Sequence, residues 1–142
     1  MKRVYLLDTN VVSEFSKERP DANVLAFYGL RKELCAISAI TWQELERGVH
    51  RMPEGKKKHY LERVMATYTA CLEIIPYDRL AAGVCGELQA RAEQDGRSLP
   101  YSDSQIAATA IVNGMVLVTR NTADFEPMRE YSPLQLENWF SA

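Results

Sequence analysis

The chain has 142 residues, 46% of them hydrophobic and 25% charged, with a formal net charge of −2 at pH 7. That length fits one domain over residues 1–142 with a sizeable core, and the composition is that of a globular protein and not of a disordered or membrane one. The mild negative charge speaks against nonspecific coating of DNA, but not against an RNA cleft whose acidic groups are neutralised by metal.

No apolar run approaches the ~20 residues a membrane helix needs. Met1-Lys2-Arg3 leads straight into a strand rather than a signal segment, so a cytoplasmic protein is expected. Cys35, Cys71 and Cys85 are odd in number and widely spaced, without a Cys-x-x-Cys pair; buried free thiols are expected.

Val4 to Leu7 is a continuous apolar run, the pattern of a strand covered on both faces. Asn10 to Lys17 reads as a short helix stopped before Pro20, and Asp21 to Leu30 as a second. Leu34 to Ile40 reads as the second strand, and Thr41 to Met52 as a helix ended by Pro53 and Gly55. Lys56 to Leu72 shows Tyr60, Leu61, Val64, Met65 and Tyr68 at helical spacing. Ile74-Ile75 is a minimal strand before Pro76. Asp78 to Gln94 is helical, with Leu80, Val84, Cys85 and Leu88 inward. Ser102 to Val112 is apolar nearly all round, as in a buried helix. Met115 to Thr119 is a fourth strand, and Leu134 to Glu137 a short fifth.

Strands alternating with helices predict an α/β fold: a central parallel sheet of four to five strands with helices on both faces. Ligands in such sheets bind beyond the carboxyl ends of the strands. Asp8, Glu44, Asp103 and Asp124 all fall at strand ends or at the starts of neighbouring helices. Each has a structural explanation alone. Asp8 and Asp124 suit a cap and a turn; Thr41 to Glu44 and Ser102 to Gln105 fit capping boxes. The conjunction is what capping does not require. Four carboxylates gathered at one sheet edge repel one another unless a divalent cation sits among them, the construction of Mg²⁺ or Mn²⁺ sites for phosphate chemistry. Thr9, Asn10, Thr119, Arg120 and Asn121 add hydroxyl, amide and guanidinium groups to the same rim.

The chain resembles the PIN-domain ribonucleases, and within them the VapC toxins of VapBC toxin–antitoxin pairs. The resemblance rests on Leu6-Leu7-Asp8-Thr9-Asn10, on Trp42-Gln43-Glu44-Leu45 with Gly48, on Asp103 through Ala110, and on Leu117-Val118-Thr119-Arg120-Asn121 through Asp124-Phe125. It implies a PIN-like three-layer α/β/α fold in which Asp8, Glu44 and Asp103 are metal-site acids. Asp124 is the favoured fourth group, with Asn121 the other candidate. It further implies an endoribonuclease using Mg²⁺ or Mn²⁺ in which an activated water attacks phosphorus in line, leaving a 5′-phosphate and a 3′-hydroxyl. The implied substrate is a tRNA or another structured RNA. The implied assembly is a homodimer inhibited by a VapB-like antitoxin, which brings the complex to promoter DNA.

Arg120 is the first choice for contact with RNA. Arg47 and Arg51 share a helix face, and Lys56-Lys57-Lys58 opens the next helix against its dipole. His50 and His59 lack partners at metal spacing, and Trp139-Phe140 is expected to pack the last segment down. A phosphoreceiver domain would need a Lys after a later strand, and none follows Lys58. A haloacid-dehalogenase-type phosphatase would need an Asp where Asn10 stands, and no Gly-rich phosphate loop is present. A non-catalytic PIN-like module that binds RNA or protein is the remaining alternative.

Overall fold

The computed structural model describes residues 2–141. Its strands are β1 (Tyr5–Leu7), β2 (Cys35–Ser38), β3 (Glu73–Ile75), β4 (Val116–Val118) and β5 (Gln135–Glu137). They form one sheet in the order β3-β2-β1-β4-β5, with every pairing parallel. The helices are α1 (Thr9–Val12), α2 (Ala22–Arg31), α3 (Ala39–His50), α4 (Lys56–Cys71), α5 (Arg79–Gln94), α6 (Tyr101–Val112) and α7 (Thr122–Phe125).

Successive strand residues point to opposite faces, so the paired strands feed two cores. Leu6 stands in register with Ala36 and Leu117, and these three pack with Leu88, Ile106, Ala107 and Ala110 of α5 and α6. Leu7 stands beside Val118, and with Ile37 it packs against Val11, Val24, Met65 and Tyr68. The result is the expected three-layer α/β/α sandwich. The alanines of α6 let that helix lie close to the sheet, which fixes where its first turn meets the carboxyl edge. At its other end Gly114, with φ of 63°, turns the chain into β4 while Met115 N–H bonds Ala110 O at 2.9 Å.

Several boundaries differ from the sequence reading. The second strand stops at Ser38, so Ala39 and Ile40 open α3 rather than close a strand. The cap of α3 is therefore Ser38, whose Oγ accepts from Thr41 N–H at 2.9 Å, and not Thr41. Likewise α6 starts at Tyr101 behind Pro100, so Ser102 lies inside the helix and caps nothing. The helix from Asn10 divides into α1 and a 3-10 turn, Ser13–Ser16. Leu80 is exposed on the first turn of α5 rather than inward, and Tyr60 is half-exposed. Cys35 and Cys85 are buried, but Cys71 is exposed at the end of α4. The last three differ because apolar composition does not say which face a neighbouring element will cover. Among the described residues no helix is long and apolar enough to cross a membrane.

Candidate active site

Asp8 follows β1, whose last rung is extended by Asp8 N–H bonding Val118 O at 2.9 Å. Extended backbone at Asp8 makes it the N-cap of α1, with Oδ1 accepting from Thr9 N–H at 2.8 Å. Its other oxygen, Oδ2, accepts from Thr119 Oγ1 at 2.8 Å and from Asn10 Nδ2 at 3.3 Å. The capping role is thus real and coexists with a fixed carboxylate at the sheet edge. Asp8 is buried, and that burial raises its pKa against the opposing hydrogen bonds from Thr119, Thr9 and Asn10; the charge of Asp124 raises it further.

Asp103 sits in the first turn of α6 and is partly buried. A helix N-terminus favours an anion, yet the Asp103 carboxyl is pushed up to about 6. Burial contributes most, followed by the charges of Asp8, Asp124 and Glu44. Asp103 therefore feels the charge of all three other acids across the carboxyl edge. Glu44, on α3, is exposed and accepts from Thr9 Oγ1 at 2.6 Å. Thr9 consequently bridges two carboxylates, through its N–H to Asp8 and its hydroxyl to Glu44. Asp124, in the first turn of α7, is exposed, and its N–H bonds Asn121 O at 3.0 Å.

As placed, no three of these carboxylates, nor any other three acid, His or Cys side chains among the described residues, come together so as to hold a metal ion. Two of the four, Glu44 and Asp124, are exposed side chains. The donor set is oxygen only, which fits a hard divalent cation such as Mg²⁺ or Mn²⁺ and not a soft one.

The supporting polar residues join this edge in different ways. Thr119 is fully buried; besides donating to Asp8 it accepts from Asn10 Nδ2 at 3.3 Å and Asn121 N–H at 3.1 Å. Asn10 Oδ1 accepts from Arg120 N–H at 3.1 Å. Asn121 enters through its backbone, while Asp124 supplies charge. The Arg120 guanidinium lies not over the acids but over the Phe140 ring, 4.9 Å from its centroid. Sequence reasoning gave Phe140 no part in the site, because nothing in a terminal Trp-Phe pair signals a neighbour twenty residues back.

Lys58 is paired with Glu54 at 2.9 Å, and His59 lies 3.7 Å from the same carboxylate, so the charge run at the start of α4 is partly engaged locally. His50 is likewise a surface residue, 3.6 Å from Glu46.

A doubly wound parallel sheet with carboxylates along its carboxyl edge is the architecture of many α/β nucleases and phosphotransferring proteins, and comparison with known proteins narrows it. Residues 5–130 match the PIN domain family. VapC ribonuclease Y4jK of Sinorhizobium fredii is 37% identical over 125 residues, 85% of this chain and 89% of that protein. The tRNA(fMet)-specific endonuclease VapC of Shigella flexneri is 30% identical over 95% of this chain and 97% of its own length. Among solved structures, VapBC2 from Rickettsia felis, bound to a DNA fragment from their promoter, superposes with a TM-score of 0.78 at 31% identity. That match covers 96% of this chain and 98% of the other. The chain belongs to the PIN-domain family, in its VapC branch.

Proposed function

We propose that this protein is a metal-dependent endoribonuclease and the toxin of a toxin–antitoxin pair, hydrolysing phosphodiesters of a structured RNA. The observation that carries the reading is the acidic carboxyl edge of a PIN-family fold, where Thr9 bridges Asp8 and Glu44 and the Asp103 carboxyl is pushed up to about 6 by burial and by three other carboxylates. A chain gains nothing in stability from such crowding; a site that recruits a cation explains it.

Asp8 and Asp103 would hold the ion, with Glu44 and Asp124 binding directly or through water. A Mg²⁺ or Mn²⁺ bound there would neutralise phosphate charge and acidify a water for in-line attack. The protein's own part is orientation. Thr119, Thr9 and Asn10 fix both Asp8 oxygens, and Thr9 ties Glu44 to the same cluster. Arg120 holds a substrate phosphate at the rim. The relatives' names support RNA as substrate, and one names a tRNA. The non-catalytic alternative is disfavoured because all four acids are retained in the chain.

A VapB-like partner fits a second feature. An apolar groove of about 730 Å³ runs between the 3-10 turn, α2 and α4, lined by Phe15, Tyr28, Val64, Tyr68 and Leu72. It shares Val64 and Tyr68 with a neighbouring pocket that reaches Thr9 and Glu44. An amphipathic antitoxin segment in that trough would extend to the acids, where an arginine could replace the cation. The partner, not this chain, would bring the complex to promoter DNA.

The test is incubation of antitoxin-free protein with total cellular RNA and Mg²⁺ or Mn²⁺, beside EDTA and Asp103→Asn controls. Discrete cuts lost in both controls are expected, and the complex should cleave far less than the freed chain. Folded protein inactive with either metal would establish the binding-module alternative.

A further inference from the structure

Arg120 is held at its backbone and at its tip by two different parts of the chain. Its N–H donates to Asn10 Oδ1 at 3.1 Å, and Asn10 in turn touches Asp8 and Thr119, so the Cα of Arg120 is fixed relative to the acids. Its guanidinium rests 4.9 Å from the centroid of Phe140, inside the range of a cation–π contact. The ring itself is anchored on both sides. Trp139 is buried against Phe27, 5.6 Å away and nearly parallel, and against Tyr5 at 5.3 Å. Beyond the ring, Ser141 donates from N–H and from Oγ to the Asp21 carboxylate, each at 3.1 Å, at the cap of α2. Phe140 N–H donates to Asn138 Oδ1 at 2.9 Å. The segment after β5 is thus tied down on either side of one half-buried ring, and that ring carries an exposed cation.

We propose that Phe140 is a positioning residue for RNA binding: it holds the Arg120 guanidinium beside the acidic edge of the sheet, where the free N–H groups take a backbone phosphate. The inference rests on the nuclease reading for the identity of the ligand. An arginine lying on a ring keeps its N–H edge open for bidentate contact with phosphate, and it loses less rotamer freedom on binding than an untethered one. A merely structural Phe140 would fill space beside Trp139 and leave the substrate indifferent to whether position 140 is aromatic.

The test compares wild type, Arg120→Ala, Phe140→Leu, Phe140→Trp and the Arg120→Ala/Phe140→Leu double variant, all antitoxin-free. Leucine keeps apolar bulk and lacks a π face, and thermal melts check that each variant folds. Affinity for bulk tRNA is measured in Ca²⁺ across a salt series, and cleavage kinetics in Mg²⁺ or Mn²⁺. Arg120→Ala should weaken binding and flatten the slope of log affinity against log salt by about 0.7–0.9, one phosphate contact. Phe140→Leu should weaken binding by about two- to fivefold, the scale of an exposed cation–π contact. That loss should fall on KM rather than kcat, and tryptophan should restore it. The double variant should bind no worse than Arg120→Ala alone. Unchanged affinity in Phe140→Leu, or independent multiplication of the two effects, would overturn the proposal. Wild type that binds tRNA but cuts no RNA would overturn the nuclease reading instead, leaving the platform to be judged on binding.

Discussion

The Thr119 hydroxyl donates a 2.8 Å hydrogen bond to Oδ2 of Asp8, joining two buried residues 111 positions apart. Parallel pairing of β1 with β4 makes this contact, since Leu7 opposite Val118 brings the next residue of each strand to the same edge. Thr119→Val keeps the shape and removes the donor. It should cost about 1–2 kcal/mol of stability, and a lost outer-shell bond of this kind lowers metal affinity or activity by about 10- to 100-fold. Thermal melts and Mn²⁺ titration check both. A variant as active as wild type would remove Thr119 from the site.

Asp103 sets the pH dependence. Its pKa is raised by folding from 3.8 to about 6, so between those values the folded state binds more protons than the unfolded. Metal-free protein should therefore be most stable, as far as this group decides, below about pH 4. That contribution is lost as pH rises through about 6. A divalent cation should reverse the penalty. Added Mn²⁺ should raise Tm clearly at pH 7.5 and little at pH 5, a comparison readily made by differential scanning fluorimetry.

Two inactivating substitutions should differ in sign on stability. Asp103→Asn removes a repelled charge and no cap, so the metal-free variant should melt higher than wild type while losing cleavage. Asp8→Ala relieves repulsion too, but it removes the α1 cap and strands Thr119, so it should lose about 1 kcal/mol or more. Equal destabilisation of both would mean that carboxylate crowding is not the dominant field at this edge.

Ser38→Ala should destabilise by about 1 kcal/mol, since Ser38 caps α3, the helix that carries Glu44. Thr41→Val leaves that cap bond intact, because the donor is the Thr41 backbone N–H. It strands the buried Ser38 hydroxyl, which donates to Thr41 Oγ1 at 3.2 Å, and should destabilise through that loss alone. Chemical denaturation of the two variants checks both. Unchanged stability in Ser38→Ala would remove Ser38 as the cap of α3.

Much of this was legible in the sequence because the relevant signals are local. Leu6 and Leu7, adjacent and both apolar, announce a strand buried on two faces, and the turn residues around them announce the alternation with helices. The candidate acids stand out because each follows such a strand or opens the next helix. What sequence could not show depends on neighbours. Ser38 rather than Thr41 caps α3 because the chain leaves the sheet as soon as Ile37 and Ser38 have paired with β3, a matter of strand length and not of capping preference. Leu80 is exposed because no element among the described residues covers the first turn of α5. Phe140 meets Arg120 because Trp139 is pinned by Phe27 and Tyr5, contacts that span most of the chain.

Asp8, Glu44, Asp103 and Asp124 are proposed to form a site for a divalent cation. The most direct measurement is Mn²⁺ binding to antitoxin-free protein, followed by the loss of the free-ion EPR signal, in wild type and in Asp8→Asn, Glu44→Gln, Asp103→Asn and Asp124→Asn. Saturable binding by wild type, weakened most in the Asp8 and Asp103 variants, is the predicted result. No binding by folded wild type, or equal binding by all five proteins, would contradict it.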